Sequence, residues 1–166
     1  MKIPNAELPP PETRRQTLVR LAAVVIIGLA VFAVYSNTFS APFVFDDYIY
    51  IVDNPKLASL SNFWPPSGTR YIAYLSFALN YSVNGFDVFG WHLVNTAVHF
   101  INSVLVYFLA LALLKSLRPD IIVPTLQRWN GGRAPLENTL PLCAALVFAV
   151  HPVQTEAVTY IAQRFA

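Results

Sequence analysis

The stretch Gly90–Leu114, GWHLVNTAVHFINSVLVYFLALALL, decides what kind of protein this is, because it contains no Asp, Glu, Lys or Arg. It lies within an uncharged run of 27 residues between Asp87 and Lys115. A helix needs about 20 apolar residues to cross the hydrocarbon core of a bilayer. Backbone groups in lipid find no water to bond, so such a segment must be helical. The sequence therefore predicts a membrane-spanning helix at residues 90–114.

Two other uncharged runs flank this one. The first, of 25 residues, precedes Asp46 and predicts a span at residues 21–39. The second, of 18 residues, precedes Glu156 and predicts a shorter span at residues 139–151. The first run also fits a secretory signal, but its length and the two further spans favour an uncleaved anchor. We therefore predict an all-α, polytopic membrane protein with three transmembrane helices.

The overall composition excludes other classes of protein. Of the 166 residues, 55% are hydrophobic and only 12% are charged, whereas soluble domains carry roughly 25% charged residues. A chain this apolar, with a net charge of +2, is not intrinsically disordered either. The single cysteine, Cys143, cannot form an internal disulfide, and no P-loop, GxSxG, GxGxxG or CxxC pair is present.

The distribution of Lys and Arg predicts the orientation in the membrane. Four lie in the tail at residues 1–20, two in the loop at residues 40–89, and four in the loop at residues 115–138. Cytoplasmic loops carry the excess of basic residues. We therefore expect a disordered cytoplasmic tail, a cytoplasmic second loop, and an outer first loop. Residues 152–166 are then the start of a helix on the outer face.

The outer loop contains one further helical segment and an acidic pair. Arg70–Tyr81 has no helix breaker and predicts a short helix lying at the membrane surface. Asp46 and Asp47 directly follow an apolar run. They are either a solvated start to the loop or a site in which low dielectric, or the neighbouring carboxylate, raises one pKa toward that of a general base.

A polar stripe runs along the second predicted span. His92, Asn95, His99 and Asn102 recur at intervals that place them on one helix face, with Ser103 beside them. Polar groups in a bilayer must face other helices or water. We expect hydrogen bonds between helices from the deeper residues, whereas His92, near the outer end, could reach a substrate. A metal site formed by His92 and His99 would lack a carboxylate ligand at the same depth in the membrane.

The third span ends in the sequence HPVQTE, residues 151–156. Proline disfavours helix at His151 and suits the first turn of a new helix, where Glu156 would meet the helix dipole. This is either a capped kink or part of a site on the same face as the acidic pair. Arg164 follows two helical turns later. We predict that Arg164 and Arg70 together bind an anionic headgroup.

These motifs, taken in order, resemble a known family. The order is FVFDDYIYIVDNP, RYIAYLSFALNY, GWHLVNTAVHFINSVL and HPVQTEAVTYIAQR. It is similar to the N-terminal portion of the membrane O-mannosyltransferase-like proteins that carry tetratricopeptide repeats, in the GT-C glycosyltransferase superfamily. The resemblance runs from about Tyr35 to Ala166. Because the chain ends soon after the last motif, we expect an N-terminal fragment that is inactive alone.

The resemblance implies an enzyme, a donor and a set of site residues. Such enzymes transfer a sugar, here a hexose such as mannose, from a polyprenyl phosphate to an acceptor hydroxyl on the non-cytoplasmic face. The implied catalytic residues are Asp46 and Asp47, one of them the general base. The implied substrate-binding residues are Arg70, His92, His151, Glu156 and Arg164.

The partners follow from the same resemblance. We expect the bilayer, a lipid-linked sugar donor and an acceptor protein or glycan as partners, without nucleic acid and without an assigned metal. We also expect the bacterial inner membrane rather than the endoplasmic reticulum. The alternative is a non-catalytic membrane scaffold or a transporter fragment, in which the acidic pair and the polar stripe serve packing or substrate passage.

Overall fold

A computed structural model of the protein describes residues 14–116 and 136–165. All regular structure in these two ranges is helical, which confirms the all-α prediction for them. The predicted tail before residue 14 and most of the predicted loop at residues 115–138 lie outside the described residues. The α-helices within the described ranges are α1 Arg14–Tyr35, α2 Tyr71–Asn84, α3 Val88–Ser116, α4 Leu136–Val150 and α5 Gln154–Thr159.

Helices α1, α3 and α4 pack against one another around an apolar core. On α1 the inward face carries Ala23, Ile27 and Val31, which are buried. Its outward face is equally apolar, with exposed leucine, valine and phenylalanine side chains such as Leu29 and Phe32. A helix that is apolar on all sides belongs in a protein core or in a membrane. Because this outward face is uncovered within the described residues, we assign α1 to a bilayer.

Within residues 14–116 and 136–165, two helices are long and apolar enough to cross a membrane. They are α1 together with the turn that follows it, Arg14–Ser40, and α3, Val88–Ser116. The third predicted span coincides with α4, whose apolar part, Asn138–Val150, is shorter than a typical span. A third crossing therefore stays a prediction.

The polar stripe of α3 binds backbone carbonyls at places where the chain leaves regular helix. His92 Nε2 donates to the carbonyl of Ala41, at 3.0 Å, in an extended segment. His99 Nε2 donates to the carbonyl of Ala149, at 3.0 Å, in the last turn of α4. Carbonyls in a last turn have no partner within the helix. Helix α4 ends at Val150 because Pro152 cannot continue it.

The stripe therefore serves packing at its deeper end, as the sequence predicts for His99. Asn95 Nδ2 also donates to a carbonyl, that of Val158 near the end of α5, at 3.4 Å. Asn102 was expected to do the same, but its side chain is exposed. The neighbouring Ser103, by contrast, is buried and donates to the carbonyl of His99 at 2.8 Å.

The loop between α1 and α3 folds over the end of α3 as a separate layer. The predicted helix Arg70–Tyr81 is present as α2, which ends where Gly85 takes a positive φ of 55° and its N–H donates to the Tyr81 carbonyl at 2.8 Å. Its position at a membrane surface stays a prediction. Short helical turns complete the layer around a second core, made by Ile51, Leu57, Phe63, Phe77, Ala78, Trp91 and Ile161.

Candidate active site

The acidic pair lies on a tight turn that points its two carboxylates in different directions. The N–H of Asp47 donates to the carbonyl of Val44 at 3.0 Å, and the N–H of Val44 donates to Asp47 Oδ2 at 3.1 Å. Between them, Phe45 has a positive φ of 46°, which is uncommon for a residue other than glycine. As a result the Asp46 side chain is exposed, whereas Asp47 is only 1% exposed.

This turn, Val44–Asp47, which we call the acidic turn, is joined to the chain that follows α5. The N–H of Ala162 donates to Asp47 Oδ1 at 2.7 Å. The N–H of Asp46 donates to the hydroxyl oxygen of Tyr160 at 2.9 Å. Two segments more than 110 residues apart in sequence therefore meet through two short hydrogen bonds.

Burial dominates the electrostatics of Asp47. Removal from water raises the pKa of its carboxyl above the ordinary value. The N–H groups of Val44 and Ala162 and the nearby His92 act in the opposite direction, while the charge of Asp46 adds to the rise. Both oxygens of Asp47 already accept backbone N–H groups, so this carboxylate holds the turn and has little access to a substrate.

Unlike the Asp47 carboxylate, the Asp46 carboxylate is accessible from outside the protein. Its side chain is exposed, and among the described residues it takes part in no hydrogen bond or ion pair. The hydroxyl oxygen of Tyr160 already accepts the Asp46 N–H, so the hydroxyl proton is available to a different acceptor. The site therefore offers a proton acceptor on the acidic turn and a neighbouring hydroxyl donor, Tyr160, on the chain that follows α5.

Arg164 is partly buried, and its guanidinium is bound by protein groups. Its Nε donates to Asn95 Oδ1 at 2.8 Å and its Nη2 donates to Asn80 Oδ1 at 3.2 Å. Further bonds run to the Ser76 hydroxyl and the Trp91 carbonyl, and its guanidinium carbon lies 5.0 Å from the centre of the Phe77 ring.

These contacts tie three parts of the molecule together: α2, α3 and the segment that carries Ala162. Burial lowers the pKa of Arg164 to about 10, so the guanidinium stays charged at neutral pH. The contacts indicate a positioning role, and the predicted substrate-binding role of Arg164 stays a prediction.

The remaining predicted site residues are spread over the surface and the core. His92 is buried at the end of α3 that faces the acidic turn. Arg70 is exposed just before α2, with a positive φ of 63°. His151 and Glu156 are exposed, and the Nδ1 of His151 accepts the N–H of Val153 at 3.2 Å.

The structure brings some of these residues together and not others. His92 lies close enough to Asp47 for its charge to lower the pKa of that carboxyl, against the larger effect of burial. Within residues 14–116 and 136–165, no hydrogen bond joins His151 or Glu156 to the acidic turn. The link from the last motif to the acidic turn is made instead by Tyr160 and Ala162, which the sequence analysis did not single out. Ala162 contributes only a backbone N–H, which no side-chain pattern reveals.

No metal site is formed by the part of the chain that the structure describes. There, no group of three or more His, Cys, Asp or Glu side chains is placed to hold an ion. The two imidazoles of the stripe bind different carbonyls, and the two aspartates diverge. The described residues of this site can take part in proton transfer and in hydrogen bonding.

The fold and the site together define a helical membrane protein that displays a carboxylate beside its apolar helices. Over 160 residues the chain is 33% identical to protein O-mannosyl-transferase Tmtc1 of Drosophila melanogaster, covering 87% of this chain and 16% of that protein. Over 179 residues it is 30% identical to protein O-mannosyl-transferase TMTC4 of Homo sapiens, covering 98% and 22%. Over 150 residues it is 35% identical to protein O-mannosyl-transferase Tmtc2 of Drosophila melanogaster, covering 80% and 14%.

The predicted resemblance is therefore confirmed: over the aligned segment the chain is similar to proteins named protein O-mannosyl-transferase. It spans between 14% and 22% of the length of these three relatives. No protein-family model matches the chain, and no solved structure matches it. These three relatives come from animals.

Proposed function

We propose that this chain is the part of a membrane O-mannosyltransferase that supplies the general base, and that the base is Asp46. The observation that carries the proposal is the acidic turn, which holds one aspartate in the core and exposes the other. The names of the relatives support the reaction class. Because the chain covers a minor part of those relatives, the activity belongs to a longer protein that includes it.

The reaction needs an acceptor hydroxyl, a sugar donor and a place for one proton. The acceptor oxygen forms a bond to the anomeric carbon of the mannose. The bond from that carbon to the phosphate oxygen breaks, and its electron pair leaves with the polyprenyl phosphate. The hydroxyl proton passes to the Asp46 carboxylate. General base catalysis of this kind contributes roughly 10²–10⁴-fold in rate.

The other residues of the site have supporting roles in this proposal. Asp47 holds the acidic turn by accepting the N–H groups of Val44 and Ala162. The Tyr160 hydroxyl donates its free proton to the bound substrate. Arg70, exposed before α2, is the cation that we assign to the donor phosphate, since Arg164 is enclosed by protein groups.

The proposed topology follows the sequence analysis. The N-terminus is cytoplasmic, α1, α3 and α4 cross the bilayer, and α2 lies at its outer surface. The acidic turn then faces the non-cytoplasmic side, where a lipid-linked donor meets its acceptor. The assignment to the bacterial inner membrane finds no support among the animal relatives and stays a prediction.

The test compares the two aspartates in the full-length protein in membranes. Asp46→Asn is expected to lower mannosyl transfer by about 10²–10⁴-fold while the thermal unfolding midpoint in detergent stays unchanged, because the exposed side chain makes no hydrogen bond or ion pair with the described residues. Asp47→Asn is expected to lower both, because an amide NH2 then faces a backbone N–H donor.

The outcome decides between the enzyme and the alternative. Full transfer by Asp46→Asn, at normal expression and insertion, would remove the base assignment. Absence of transfer by the wild-type protein, with an intact acidic turn, would favour the non-catalytic scaffold or transporter.

A further inference from the structure

An open cleft of about 530 Å³ lies in the loop layer between α1 and α3. Its size falls within the range of roughly 300–1,000 Å³ that is typical of ligand sites. The tyrosine rings of Tyr50, Tyr71 and Tyr74 line it, and we call it the tyrosine cleft. No residue to which the sequence analysis assigned a role lines it. Its other lining residues are Ile49, Asp53, Asn54, Pro55, Lys56, Asn62, Phe63, Ser67, Gly68 and Thr69.

Part of the lining is locked in place, and part is available to a ligand. The Tyr71 hydroxyl donates to the Phe63 carbonyl at 3.0 Å, and Asn62 Nδ2 donates to the Lys56 carbonyl at 3.1 Å. These bonds preform the walls. By contrast, the charged ends of Asp53 and Lys56 are exposed, and neither takes part in an ion pair with another described residue.

The cleft begins next to the acidic turn. Its lining includes Ile49, two residues after Asp47. Two residues span at most about 7 Å of chain, so the Cα atom of Ile49 lies within that distance of the Cα atom of Asp47. Asp46 does not line the cleft itself, so a ligand has to extend from the cleft past Ile49 to reach the exposed carboxylate of Asp46.

We propose that the tyrosine cleft binds an extended segment of the acceptor polypeptide and presents its hydroxyl-bearing residue to Asp46. This proposal rests on the proposed function and names the substrate that the site takes. Tyrosine rings supply rigid contact area at protein-recognition surfaces, with a hydroxyl for hydrogen bonding. The exposed carboxylate and ammonium on the rim fit a chain that carries both N–H donors and carbonyl acceptors.

The chemistry of the cleft argues against the donor as occupant. A polyprenyl chain needs a continuous apolar groove, whereas the lining of this cleft mixes aromatic and aliphatic side chains with amide, hydroxyl and charged groups. A phosphate would favour several cations, but Lys56 is the one Lys or Arg in the lining and Asp53 shares it. The cleft is built from α2 and the loop rather than from α1 or α4, so it opens where a polypeptide from the aqueous phase arrives.

The first experiment measures binding without catalysis. The full-length protein carries Asp46→Asn together with the photoreactive residue p-benzoylphenylalanine at position 69, an exposed position in the lining. The probe is a biotinylated peptide mixture with one central threonine and randomised flanking residues. We expect light-dependent labelling at position 69. The matched control carries the photoreactive residue at position 83, which is exposed on α2 outside the cleft, and we expect background labelling there.

The second experiment blocks the cleft in the active protein. Thr69→Trp is expected to raise the KM for the peptide mixture by at least about tenfold while the KM for the donor stays unchanged. Val83→Trp, the control with the same added bulk, is expected to leave both values unchanged.

The possible results of these experiments distinguish the cleft assignment from the proposed function. Equal labelling at positions 69 and 83, or competition of the label by free mannose rather than by unlabelled peptide, would overturn the proposal. A rise in the donor KM alone would do the same. Selective labelling at position 69, combined with no transfer by the full-length protein that retains Asp46, would contradict the proposed function and leave the cleft assignment standing.

Discussion

The acidic turn and the exit turn after α4, residues 151–156, were predicted to form one site, yet the fold treats them very differently. The acidic turn bonds to itself and to the distant chain at Tyr160 and Ala162. In the exit turn, the hydrogen bonds that involve His151 connect neighbouring residues only. The exit turn therefore sets the direction of the residues that follow it, and those residues make the contact with the acidic turn.

The comparison shows that a residue belonging to a recognisable sequence motif need not be one of the residues that hold the site together. The proline of the exit turn ends α4 and starts a short new helix, and the geometry of that helix delivers Tyr160 to the Asp46 amide. Three predictions test the contrast between the two turns.

The largest effect is expected from Arg164→Ala, because this guanidinium anchors the segment that carries Ala162. Its loss leaves the amide oxygens of Asn95 and Asn80 buried without their donor, which costs about 3 kcal/mol of the free energy of unfolding. Transfer by the full-length protein should fall as well, because Ala162 no longer holds Asp47.

Arg164→Lys keeps the charge but not the fork of donors and should recover part of the stability. Denaturant unfolding in detergent and a transfer assay measure the two effects; wild-type stability in Arg164→Ala would contradict the anchoring role.

A smaller effect is expected from pH, acting through Asp47. Because burial raises its pKa in the folded protein, the folded state keeps the proton to a higher pH than the unfolded state. The contribution of Asp47 to stability is therefore greatest below the ordinary value of about 3.9. It declines as pH rises toward the folded pKa and is constant above it. The difference in the free energy of unfolding between wild type and Asp47→Asn, measured across a pH series, should decline over that window; an increase would show that the pKa is lowered.

The smallest effects are expected in the exit turn. His151→Ala and Glu156→Gln change exposed side chains, and surface substitutions of this kind usually alter stability by less than about 0.5 kcal/mol. Transfer should change by less than about twofold, which corresponds to a similarly small energy. A transfer assay on both variants gives the answer. A loss comparable to that of Asp46→Asn would restore the predicted substrate-binding roles of both residues and remove the contrast between the turns.

The helices were accessible to sequence reasoning because each follows from local chemistry. Uncharged runs predicted α1, α3 and α4, and the absence of breakers predicted α2 one residue from its observed start. The packing role of His99 was also predictable, since a polar group on an apolar helix must find a partner. The same expectation was wrong for Asn102, which is exposed, whereas the adjacent Ser103 is buried.

The site was predictable only in part. Asp46 and Asp47 were identified as a pair, but nothing in two adjacent aspartates says which of them is buried. The answer depends on the positive φ of Phe45 and on the N–H of Ala162. Arg164 resembles a surface cation in the sequence, and only its neighbours from α2 and α3 make it an internal anchor.

By itself, the amino-acid sequence determined that this protein is helical, apolar enough for a bilayer and related to the O-mannosyltransferases, because hydropathy and motif order are properties of the linear chain. The tertiary structure alone decided which carboxylate is exposed, which arginine is enclosed and that Tyr160 meets the acidic turn. Those outcomes depend on hydrogen bonds between residues about 70 to 115 positions apart, and such bonds exist only once the chain has folded.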